Sequence, residues 1–180
     1  MVLLRENLDR RLPDALVVAD LLWYFVEGDP KQRCAPDVMV AFGRPKGHRH
    51  SYLQWEEGGV CPQVVFEVWS PKNGFAHRAA KLRLYDRLGV EEFYTWDPDA
   101  GDLAAFVRDD GALIPRDASE GFTSPRLGIT LHEVHGQLSV AWTDGEVFRS
   151  FGELNAALEA ERARADALLA RLRAAGLDGP

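Results

Sequence analysis

Between Gln63 and Asp97 the hydrophobic pattern changes its period twice, and few folds accommodate that. Gln63-Val-Val-Phe-Glu-Val-Trp69 is β-branched and aromatic and runs into the turn sequence Ser70-Pro-Lys-Asn-Gly74, as a short strand does. Phe75 to Leu88 is rich in Ala, Leu and Arg, and Gly89 after it is the usual left-handed stop of a helix. Glu92-Phe-Tyr-Thr-Trp-Asp97 then resumes a strand. Strand, helix and strand in this order form a crossover unit, so the two strands are expected to be parallel and the chain to be of the α/β class.

The rest of the chain extends that sheet. Residues 15–26, ALVVADLLWYFV, are apolar except for Asp20 and read as a strand pair or one bent strand. Asp37-Val-Met-Val-Ala-Phe42 follows a proline and ends at Gly43, giving a short buried strand. Leu103 to Val107 and Ala112 to Ile114 read as a hairpin around Asp109-Asp110-Gly111. Further β pieces near Leu138 to Trp142 and Glu146 to Phe148 are expected to complete one mixed sheet flanked by helices. The division expected is a domain over residues 1–150 and a helical tail over 151–180. From Leu154 the tail is mostly Ala, Leu, Glu and Arg with no Gly or Pro before Gly176, and Leu154, Leu158, Ala165, Leu168 and Leu172 fall near heptad spacing, interrupted by Glu161. Such a helix packs either on its own domain or against a second copy, and a homodimer is the expectation.

Composition narrows the function classes. With 180 residues, 46% of them apolar, the chain is long enough to bury its own core. Cys34 and Cys61 have no partner at metal-ligand spacing, so no zinc site or disulfide framework is expected, and reduced thiols fit a cytoplasmic protein. No segment has the length and apolarity of a signal-peptide core or a membrane span, so no membrane partner is expected. A net charge of −7 argues against a constitutive nucleic-acid binder. It does not argue against a metal enzyme, whose clustered carboxylates are neutralised locally by the ion.

Three residues then form an ordered constellation. Asp37 sits at the mouth of a buried strand, where an ionised carboxylate is costly, although after Pro36 it could also be a turn residue capping local amides. Glu67 lies inside Val-Val-Phe-Glu-Val-Trp and shares a strand face with Val65 and Trp69. An acid there is paired, protonated or bound to a cation, unless the strand is an edge and the side chain reaches solvent. Lys81 falls on the helix face that carries His77, Leu84, Tyr85 and Leu88, the face turned toward the sheet, so its ammonium is drawn to an anion inside or snorkels around the rim. Two carboxylates and a lysine at adjoining strand ends suit Mg²⁺-assisted hydrolysis of a phosphodiester.

Ala35-Pro-Asp-Val38, Tyr52-x-x-Trp55-Glu-x-Gly58, Val65-Phe-Glu-Val-Trp-Ser-Pro71, Lys81-x-x-x-Tyr85 and Leu88-Gly-Val-Glu-Glu-Phe-Tyr-Thr-Trp-Asp-Pro98 together closely resemble the Uma2 family, a domain of unknown function within the PD-(D/E)XK nuclease superfamily. The resemblance implies a restriction-endonuclease-like core, Asp37 and Glu67 as acidic ligands of Mg²⁺ (or Mn²⁺), the carbonyl of Val68 as a further ligand, and nucleic acid, DNA first, as substrate. The superfamily's lysine usually lies two residues after the acid, where this chain has Trp69; the family places it on the next helix, which Lys81 matches. Ser70 and Tyr85 match family positions, with turn and packing roles as the plainer alternatives. His77 stands where the family commonly has an acid one helical turn before the lysine. Little room is expected for a full first helix before Ala15. The expected function is a metal-dependent endonuclease with Asp37, Glu67 and Lys81 as its core. The alternative is a catalytically inactive nuclease-fold module that dimerises or binds a partner. A two-carboxylate glycosidase is poorly supported, because such sites need no buried lysine.

Overall fold

The computed structural model describes residues 2–149 and 151–174; within the last helix the side chains at 151, 154, 155, 157, 158, 166, 169, 170 and 172–174 lie outside the described set. The chain opens with helix α1 (Val2–Arg11), strand β1 (Ala15–Ala19), and the short strands β2 (Trp23–Tyr24) and β3 (Arg33–Cys34). Next come β4 (Val38–Phe42), β5 (Tyr52–Leu53), β6 (Val64–Val68), helix α2 (Phe75–Leu88) and β7 (Glu92–Asp97). The chain continues with β8 (Asp102–Asp109), β9 (Ala112–Arg116), β10 (Phe122–Thr123), β11 (Ile129–Val134), β12 (Gln137–Trp142) and helix α3 (Phe151–Ala174). Among the described residues no helix is long and apolar enough to cross a membrane.

A six-stranded mixed sheet in the order β1-β4-β6-β7-β8-β9 forms the centre. Its one parallel pair is β6 with β7, bridged by α2 as the crossover pattern requires. Helix α2 ends at Gly89 with φ 90°, whose N–H closes onto the carbonyls of Tyr85 and Asp86. Strands β8 and β9 form the expected hairpin, in which Asp110 and Gly111 take positive φ (46° and 84°), the conformation that a two-residue turn needs to match the strand twist.

Three expectations are corrected. Residues 15–26 do not stay in one sheet: Asp20 takes φ 51° and turns the chain, so β2 leaves to pair with β3 and β5 in a separate three-stranded sheet. Residues 138–142 do not complete the central sheet either; β12 joins β10 and β11 in a third sheet that packs over it, and Val147 contributes only a bridge to Ala141. A first helix does fit, because Leu4 and Leu8, one turn apart on α1, are buried in the core and fix it over the sheet.

The strand alternation sorts the sheet into two faces. Val38, Val40, Val64, Phe66 and Tyr94 point toward α1 and the β10–β12 sheet, meeting Leu8, Ile129 and Leu131. Met39, Val65, Trp69 and Phe93 point the other way, where they meet Tyr85 of α2 together with Trp23 and Tyr52. Each such fully buried side chain contributes about 1.5–3 kcal/mol of transfer free energy, and together these hold α2 in register over β6 and β7. The described residues up to Phe148 form one compact unit, and those from Arg149 on, including α3, form a second. Of the tail positions expected to pack, Ala165 and Leu168 are exposed, while Leu154, Leu158 and Leu172 lie outside the described side chains.

Candidate active site

The antiparallel register of β4 and β6 pairs Val38 with Phe66, which sets Asp37 across from Glu67 at the end of the two strands. Cross-strand partners share a face, so both carboxylates stand on the side covered by α2. Asp37 is held at both its backbone and its side chain: its carbonyl and that of Pro36 accept the Asp20 N–H at 3.3 and 3.2 Å, and its Oδ2 accepts the Val68 N–H at 2.6 Å. The next amide, Trp69, turns to the opposite edge and bonds the Trp96 carbonyl. Since the N–H and C=O of one strand residue face the same edge, the Val68 carbonyl lies on the Asp37 side.

Glu67 is 6% exposed and its Oε1 collects two donors from α2: the Lys81 ammonium at 2.7 Å and the Tyr85 hydroxyl. Lys81 and Tyr85 are one helical turn apart, and the ammonium also lies 3.2 Å from the Tyr85 oxygen. An ammonium has three N–H donors, so one remains after these two contacts. Tyr85 is itself fully buried, its ring stacked on Trp23 at 6.4 Å and tilted against Phe93 at 5.0 Å. Burial raises the Glu67 pKa, opposed by the charge and hydrogen bond of Lys81 and by the Tyr85 hydroxyl, while the charge of Asp37 adds to the rise. Burial and the neighbouring Glu67 charge raise that of Tyr85. Cys34 lies behind the Tyr85 hydroxyl, where burial pushes its thiol up to about 12 and keeps it protonated.

The structure brings Asp37, Glu67, Val68, Lys81 and Tyr85 together, and it sets the other two candidate positions, His77 and Ser70, apart. His77 is exposed, with its ring edge-on to Trp69 at 6.2 Å. The amide and hydroxyl of Ser70 both bond Asn73 Oδ1, at 2.7 and 2.8 Å, which is a turn role. Sequence reasoning missed Trp23 and Cys34, which back Tyr85 from β2 and β3; no local pattern marks either. It also missed the Arg78–Asp97 ion pair at 2.6 Å beside the site.

The donor set suits a hard divalent cation. Among the described residues, no group of three or more His, Cys, Asp and Glu side chains is arranged to hold a metal. Two carboxylates suffice for Mg²⁺, which keeps several waters and takes further oxygens from a phosphate. The protein donors go to Asp37 Oδ2 and Glu67 Oε1, leaving Asp37 Oδ1 and Glu67 Oε2 with no hydrogen-bond donor among the described residues.

The Uma2 family, described as "Putative restriction endonuclease", matches residues 2–141. A crystal structure of "a putative nuclease belonging to DUF820 from Anabaena variabilis ATCC 29413" superposes with a TM-score of 0.51 at 15% identity, over 70% of this chain and 68% of the other, a likeness of fold. No curated protein matches the chain significantly.

Proposed function

The chain belongs to the Uma2 family, and on that premise we propose that it is a metal-dependent endonuclease that hydrolyses phosphodiester bonds, with DNA as the first substrate to test. The observation that carries the reading is the convergence of Asp37, Glu67 and Lys81 at one end of β4 and β6, on the face that α2 covers. Asp37, Glu67 and the Val68 carbonyl would hold Mg²⁺ or Mn²⁺, which supplies charge neutralisation at the phosphate and a more acidic water. Tyr85 fixes Glu67 through Oε1, which leaves Oε2 without a donor among the described residues and available to the ion. Lys81 keeps one N–H without a partner among the described residues, available to a phosphate oxygen or to the attacking water. The attacking water gives up a proton to solvent as the new P–O bond forms, the old P–O bond breaks, and the departing oxygen takes up a proton from solvent.

A second reading, a nuclease-fold binding module without catalysis, draws on His77, which stands against Trp69 and adds no oxygen ligand to the pair of acids. Incubation of a mixed pool of single- and double-stranded DNA and RNA with Mn²⁺, Mg²⁺ or EDTA separates the two. Metal-dependent cleavage that Asp37→Asn abolishes supports the enzyme; metal uptake without cleavage of any substrate supports the module. Homodimerisation through α3 belongs to the proposal too, and sedimentation of the chain with and without residues 151–180 tests it: an unchanged number of subunits refutes it.

A further inference from the structure

A groove of about 320 Å³ runs between the first half of helix α2 and the start of β8, on the face of the central sheet that α2 covers. That volume lies at the lower end of the range for small-molecule sites. Its walls are aromatic. Phe93 and Phe106 stack at 5.7 Å on the sheet side, Trp69 closes one end, and Phe75, the first residue of α2, stands 87% exposed on the helix side. At its floor Thr95 is 6% exposed, and its hydroxyl makes no hydrogen bond to any described residue. That hydroxyl reaches the solvent of the groove and has no protein partner among the described residues, and its place between aromatic faces suits a planar ligand with a polar edge.

The position of the groove identifies the ligand's class. Thr95 pairs with Glu67 in the parallel register, one strand spacing of about 4.8 Å away, so the floor of the groove adjoins the carboxylates. We propose that this groove takes a nucleobase next to the scissile phosphate, stacked against Phe75 and the Phe93–Phe106 wall with its edge on the Thr95 hydroxyl. The identity of the ligand rests on the nuclease reading. A base can enter only when it has left its stack, so the preferred substrate is a single strand or a locally opened duplex. The rim carries Arg78, held at 5.4 Å over Trp69 and already paired with Asp97, together with Asp102. The groove therefore contributes stacking rather than phosphate attraction, and its share of binding depends little on salt.

The test is fluorescence anisotropy of short labelled strands with the full chain in EDTA, using one mixed sequence as single-stranded DNA, single-stranded RNA and duplex DNA. Either single strand is expected to bind more tightly than the duplex. Phe75→Ala removes an exposed platform and is expected to weaken strand binding about ten-fold. Thr95→Val loses no protein hydrogen bond and is expected to weaken it roughly three-fold with no loss of melting temperature. Mn²⁺ affinity by calorimetry should be unchanged in both variants. Wild type that binds duplex as tightly as single strand, wild type that binds neither strand, or two variants that bind like wild type would each overturn the groove. Wild type that binds strands in this pattern but never cleaves them with Mn²⁺ or Mg²⁺ removes the nuclease reading and leaves the groove standing.

Discussion

The Lys81 ammonium donates to Glu67 Oε1 at 2.7 Å across the junction of α2 and β6, with both side chains largely withheld from solvent. The ammonium also lies 5.6 Å from the centroid of the Tyr85 ring, and a lysine carries an apolar stem beneath its charge, so charge and packing need separate tests. Lys81→Met keeps the stem and removes the charge. Cleavage is expected to fall at least about 100-fold, with Mn²⁺ affinity near pH 8 changed by less than about ten-fold, because the ammonium acts on water and phosphate rather than on the ion. A methionine variant that cleaves at the wild-type rate removes Lys81 from the mechanism.

Tyr85→Phe keeps the ring between Trp23 and Phe93 and deletes only the hydroxyl on Glu67. A hydrogen bond to a charged acceptor is worth about 1.5–3 kcal/mol. The melting temperature should drop by roughly 3–12 °C for a chain of this length. Losing a donor also lets the Glu67 pKa rise further, so metal affinity should weaken more below neutral pH than above it. A purely structural tyrosine would lower the melting temperature and leave the pH dependence of metal binding where it was.

Burial holds the Glu67 pKa above its ordinary value of 4.5. Between the ordinary and the raised value, the folded chain keeps a proton that the unfolded chain has released. Its contribution to metal-free stability therefore declines as pH rises through that window, and metal affinity climbs over the same window as the proton leaves. Glu67→Gln removes both slopes. Thermal melts and calorimetry on wild type and variant from about pH 4 to 8 check this. A wild-type stability that gains on the variant as pH rises would have the opposite sign and contradict the assignment.

Much of this site was legible in the chain because it depends on periodicity. Alternation set Glu67 on the face of Val65 and Trp69, and helical spacing set Lys81 and Tyr85 on the face that α2 turns to the sheet. Alternation could not tell Glu67 from Glu92, which also stands in an apolar strand. Glu92 is 2% exposed and takes the Tyr94 hydroxyl at 2.8 Å, the Ser124 hydroxyl at 2.5 Å and the Arg126 N–H at 2.7 Å. Its carboxylate is fully engaged, and it clips the central sheet to the segment that precedes β11. Ser124 and Arg126 are remote in sequence, so only the fold separates a structural acid from one with an oxygen to spare. The same limit hid the second and third sheets. The departure of β2 turns on the backbone of Asp20, and the stacking of β10–β12 over the central sheet depends on burial that no local pattern encodes.

The claim on which the rest depends is that Asp37 and Glu67 share a divalent cation, and calorimetric titration of Mn²⁺ into wild type and Asp37→Asn measures it directly. The expected result is one ion per chain for wild type, and an affinity at least about ten-fold weaker for the variant, with the circular dichroism of the two indistinguishable. Wild type that takes up no ion, or an Asp37→Asn variant that binds it equally well, would contradict the claim.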